Sequence, residues 1–120
     1  MSETIPTFTI PSDNGYILRG DTWKGLVFNL SDDDTGAIDL TGATIRCAFY
    51  LNNRLIIDLS TTNGTITITN AVNGDFKINQ IDRMDYSAGT LKGDLEITFA
   101  DNTRETYCFF DLRIKEDRTK

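Results

Sequence analysis

Three sets of side chains in this sequence have types and spacings that could do chemistry. Asp94 and Glu96 are paired carboxylates that could act as acid and base on a sugar. They sit on alternate positions of an extended segment, however, and so leave one strand face together into water, where carboxylates serve as solubility charges. Asp32, Asp34 and Asp39 around Gly36 offer the oxygens a divalent cation takes. In a helix-flanked calcium loop the place of the bidentate glutamate would fall on Gly42, so that template fails. An aspartate-rich β-turn fits better, while an irregular cation site across Asp32–Asp39 stays open. Cys47 and Cys108 both fall on core-facing positions of expected strands. A bridge between facing sheets stays open, but buried thiols acting as small hydrophobes fit a reducing compartment better.

The remaining inventory argues against catalysis. The chain has no histidine, the side chain that most readily exchanges protons near neutral pH. No catalytic, cofactor-binding or metal-binding residue is expected, and no enzymatic activity. Twelve basic against eighteen acidic residues leave a net charge of -6, with the basic ones scattered. No stripe can neutralise a run of phosphates, so neither nucleic acid nor an anionic membrane is an expected partner. Met1-Ser2-Glu3-Thr4 has neither the basic start nor the apolar run of a secretion signal, and no stretch is apolar enough to span a bilayer as a helix. Synthesis in a cytoplasm is expected. Arg19-Gly20-Asp21 spells a tripeptide that integrins read on exposed loops; here it reads as a turn leading to Trp23.

The elements that position these groups are strands. Leu91 to Ile114 reads as two strands folded back at Asp101-Asn102. Leu95, Ile97 and Phe99 alternate with polar residues on the first; Thr106, Cys108, Phe110, Leu112 and Ile114 share a face of the second. A period of two sends one face to a core and the other to water. Leu26, Phe28 and Leu30 form an earlier inward set, as do Ile45, Cys47, Phe49 and Leu51. Asn52-Asn53 turns that strand onto Leu55, Ile57 and Leu59, and Asn63-Gly64 and Asn73-Gly74 open strands bearing Ile66, Ile68, Phe76 and Ile78. Only Gln80 to Ser87 departs from this rhythm, with Met84 and Tyr86 expected to cap the core on one helical turn. The composite is an all-β domain, an antiparallel two-sheet β-sandwich of about eight strands. Residues 1–15 form an N-terminal arm with a turn at Ser12-Asp13-Asn14-Gly15, 16–116 the sandwich, and 117–120 a charged tail.

Unused apolar surface carries the functional expectation. Pro6 and Pro11 fence Phe8 and Ile10, which places the arm at a sheet edge or against another subunit. If Cys108 and Phe110 face the core, Tyr107 and Phe109 face away from it and form an apolar patch. Either the arm or a partner subunit covers that patch. A second reading makes the domain a carbohydrate binder with Trp23 and Tyr16 or Tyr50 as an aromatic platform.

Gly20-Asp21-Thr22-Trp23, Ile38-Asp39-Leu40-Thr41-Gly42-Ala43-Thr44, Asn73-Gly74-Asp75-Phe76-Lys77-Ile78 and Ala88-Gly89-Thr90-Leu91-Lys92-Gly93-Asp94-Leu95-Glu96-Ile97 together resemble the small immunoglobulin-like β-sandwich modules of tailed-bacteriophage virions. The likeness covers about residues 16 to 118; it departs at Leu91, where those modules usually carry an aromatic, and in the extended arm. It implies a structural, non-enzymatic virion protein that docks to other virion proteins as an adaptor, a baseplate or tail subunit, or a capsid-decoration subunit. A homo-oligomer, a trimer by expectation, is typical of such parts. Partner contact is then expected at Phe8, Ile10, Trp23, Tyr107 and Phe109. The second reading becomes a sugar-binding sandwich that aids attachment to a host surface.

Overall fold

A computed structural model describes residues 6–11 and 15–116. Residues 1–5, the Ser12-Asp13-Asn14 part of the expected turn and the tail at 117–120 lie outside the described residues. Among those described, every regular element is a strand, and no helix long and apolar enough to cross a membrane occurs.

The long hairpin forms the centre of the larger sheet. β10 (Gly89–Thr98) pairs antiparallel with β11 (Arg104–Lys115). Asp101 shapes their turn: its Oδ1 accepts from the Thr103 amide at 3.0 Å and the Thr103 hydroxyl at 2.6 Å, and Asn102 takes a φ of 70°. Short polar side chains favour that left-handed geometry. β6 (Thr44–Leu51) lies along the other edge of β10, and β7 (Arg54–Ser60) along β6. Asn52 and Asn53 join these two at φ 52° and 66°, as a two-residue hairpin turn requires.

The smaller sheet runs β3 (Leu26–Asn29), β9 (Asp75–Ile78), β8 (Ile66–Asn70), all antiparallel. Its rings reach the larger sheet: Phe28 stacks on Phe76 at 4.6 Å and meets Phe110 edge-on at 6.2 Å. Phe49, Phe76, Phe110, Leu91, Leu95 and Leu112 are closed to water, each contributing about 1.5–3 kcal/mol by burial. Two-residue strands β4 (Ser31–Asp32) and β5 (Gly36–Ala37) bracket the acidic turn.

The arm differs from the all-antiparallel expectation. β1 (Thr7–Ile10) and β2 (Ile17–Leu18) both pair parallel with β11, giving the order β1-β11-β10-β6-β7 with β2 further along β11. The direction follows from where the chain goes next. The Arg19 amide donates to Lys115 O and the Gly20 amide to Met84 O, at the end where β11 finishes. An arm that must deliver the chain to that end runs the same way as β11.

Two bulges overturn face assignments made from alternation. Leu95 pairs with Cys108 but Glu96 with Thr106, so Tyr107 is an extra residue and Thr106 shares the outer face with Glu96. Phe49 pairs with Ile57 but Tyr50 with Leu55, so Leu55 turns outward and is 48% exposed while Ile57 is 3% exposed. One inserted residue reverses every face beyond it. The expected helical turn at Gln80–Ser87 is also absent. That segment is extended and held by backbone bonds, Trp23 and Ile81 exchanging amides at 2.9 and 2.8 Å and the Met84 amide donating to Asp21 O at 2.8 Å. Met84 still closes the core, fully buried.

Candidate functional site

An apolar cleft of about 890 Å³ opens between β1 and β3, floored by Phe110, Leu95 and Cys108 of the larger sheet. Among the described residues no charged side chain lines it. Its geometry follows from the unequal sheets. Phe28 places β3 over β11, and β1 lies one strand further out, so among the described residues no strand of the smaller sheet stands over β1. Phe8 shows the result: level with Phe110 in the register and 6.2 Å from it, it remains 52% exposed.

Among the described residues both walls are free sheet edges. The Leu30 amide donates to Gly74 O at 3.0 Å. Exchanging pairs recur at every second residue of an antiparallel ladder, so Leu26 and Phe28 turn their backbone groups to β9 while Val27 and Asn29 turn theirs outward. Val27 is 85% exposed. Across the cleft Pro6 O accepts from the Phe109 amide at 2.9 Å, so Thr7 and Thr9 direct their backbone groups to the opposite free edge.

The structure brings four of the five expected contact residues together at this cleft. Phe8 and Ile10 face its interior, with Ile10 buried in the core. Tyr107, expected to face away from the core, instead packs against it, because the bulge frees its side chain from the alternation. Burial first, and then the adjoining Glu105 and Asp32 carboxylates, push its hydroxyl well above the usual tyrosine value. Trp23 also lines the cleft but is 8% exposed, held by its bridge to Ile81. It offers no sugar platform, and Tyr16 lies elsewhere under the Lys115 ammonium at 5.3 Å. Phe109 stands apart on the outer face, beside Asp94 and Thr7, and is 39% exposed. Leu26, Phe28 and Leu30 read in the sequence as plain core residues; here they are half-buried cleft walls. The one sequence signal for this was the arm strand fenced by Pro6 and Pro11.

The groups singled out for chemistry are occupied by structural tasks. Asp32 Oδ1 accepts from the Asp34 amide at 2.7 Å, and Asp39 Oδ1 from the Thr41 amide at 2.9 Å and its hydroxyl at 2.6 Å. The Thr41 hydroxyl, with its amide, holds Asp39 below the usual carboxylate range. Among the described residues no three potential metal ligands converge, Asp32, Asp34 and Asp39 included. Cys47 and Cys108 are free, buried thiols. Burial pushes Cys108 up to about 11, and burial, then Cys108, raises Cys47 further, so neither is a ready thiolate. The Arg19-Gly20-Asp21 stretch is a turn, with Gly20 at φ 93° and Arg19 bonded to Asp85 and Glu116 at 3.0 Å each. No protein-family model matches this chain, and no curated protein matches it.

Proposed function

We propose that this chain is a non-enzymatic structural protein of a tailed-phage virion, an immunoglobulin-like β-sandwich that docks to other virion proteins through the cleft between β1 and β3. The order β1-β11-β10-β6-β7 against β3-β9-β8 supports the sandwich reading, since immunoglobulin-type domains stack a larger sheet on a smaller one in this manner. The cleft itself carries the docking reading. A concave apolar surface bounded by two strand edges that no described strand pairs suits protein contact.

The placing in a phage particle is supported by the turn motifs at Gly20–Trp23, Ile38–Thr44, Asn73–Ile78 and Ala88–Ile97. Those stretches are turns and strand segments in the fold. The test is mass spectrometry and electron microscopy of density-banded particles from cells that make the protein. Its presence in fixed ratio to a major head or tail protein is the expected result; particles without it overturn the proposal. Sedimentation of the purified protein checks the expected trimer.

A further inference from the structure

We propose that the free edge of β3 takes up an extended segment of a partner protein, which alternates apolar and polar side chains and carries a basic residue at the end lying over Tyr107. The inference rests on the docking reading above and names its partner.

Two observations converge on an added strand. Val27 and Asn29 direct amides and carbonyls that no described strand pairs away from β9, at the spacing of a strand's hydrogen-bonding groups. A strand placed there would lie over β1, where Phe8 is exposed, and would close the cleft from above. An added strand sits about 4.8 Å from its neighbour, the same step that separates β1 from β11 in the layer below. Pairing instead at Thr7 and Thr9 would extend the larger sheet and leave the cleft open.

The same geometry decides what kind of segment fits. A second copy offering its own β3 edge antiparallel would bring its larger sheet into the layer of β1. Two β1 strands would then have to occupy the gap between two β11 strands, which β3-to-β3 pairing holds one strand spacing apart. Antiparallel pairing of two copies is therefore excluded by collision, and parallel pairing would set their exposed Asp32, Asp33 and Asp34 side by side, while a lone extended segment meets no described strand. The charge follows from the surroundings. Asp32, Asp33 and Asp34 are exposed just past the C-terminal end of β3, and Asp32 and Glu105 both act on Tyr107. With a chain charge of -6, this acidic end favours a cation.

The test uses the full chain and three synthetic nonapeptides of alternating valine and threonine: one ending in two lysines, one in two glutamates, one with a central proline. Fluorescence anisotropy measures binding, and amide NMR shifts locate it. The lysine peptide should bind at least tenfold more tightly than either other peptide, with shifts centred on Val27 and Asn29. Val27→Pro, which removes an outward amide and no bond to β9, should weaken binding at least tenfold while leaving the fold's spectrum intact. Equal binding of the lysine and glutamate peptides, shifts elsewhere, or a β3-mediated dimer in sedimentation overturns the proposal. Incorporation of wild-type and Val27→Pro protein into particles separates the two readings. If both incorporate equally, docking stands and the strand edge falls; if neither does, the virion reading falls, whatever the peptides do.

Discussion

Phe8 lies level with Phe110 across the parallel pairing of β1 and β11, yet only Phe110 is closed to water. Two residues on, Ile10 lies level with Leu112, and both are buried. The arm is thus a strand of the sheet at Ile10 and a cleft wall at Phe8. Ile10→Ala should destabilise by about 2–4 kcal/mol in urea unfolding, whereas Phe8→Ala should cost about 1 kcal/mol or less. Equal losses would mean that the arm packs uniformly.

The bulge on β7 separates two residues that alternation treats alike. Ile57→Ala should cost about 2–4 kcal/mol and Leu55→Ala under about 1 kcal/mol. Comparable unfolding midpoints for the two would refute the inserted residue at Ile56.

Gly25 and Gly36 have nearly the same φ, 83° and 81°, but different surroundings. A Cβ on Gly25 would stand 2.0 Å from Ile78 O, whereas one on Gly36 meets nothing within 4 Å. Gly36→Ala should cost about 1–2 kcal/mol from left-handed backbone alone. Gly25→Ala adds a collision with backbone and should prevent folding or reduce stability by several-fold more, read as soluble yield and urea midpoint.

The buried groups at the cleft set an alkaline limit. Cys108 titrates near 9.0 unfolded and about 11 folded, so the folded state holds the proton more tightly. Its contribution is fully present below about pH 9 and is lost as pH rises toward 11, on the order of 1–2 kcal/mol. Tyr107, raised chiefly by burial, adds to the same loss. Cys108→Ala should lessen the fall in urea midpoint between pH 8.5 and 11; an unchanged slope would remove the thiol from the account.

Acid acts through the turns. Asp39 and Asp101 are held low first by the Thr41 and Thr103 hydroxyls, and Asp75 by Asn73 and then Asn29. A lowered carboxylate stabilises the fold above its unfolded value, near pH 4, and that stabilisation is lost as pH falls through the lowered value. Asp101→Asn keeps an acceptor for Thr103 but cannot titrate, so its stability should fall less steeply between pH 4 and 2. A parallel decline would show that the turn is not titrating.

Much of the fold was legible locally. Alternation at Leu95 and Ile97 and at Ile45, Cys47 and Phe49 marked buried faces, and Asn52-Asn53 and Asp101-Asn102 marked turns, because side-chain direction and φ preference are properties of a few neighbouring residues. The parallel run of β1, the outward turn of Leu55 and the inward packing of Tyr107 were not legible. Each depends on which residue of a distant strand lies opposite, and a single inserted residue changes that without changing the local pattern. The cleft is of the same kind: the sequence supplies Phe8, Phe28 and Phe110, but only the stacking of a wider sheet on a narrower one leaves them around open space.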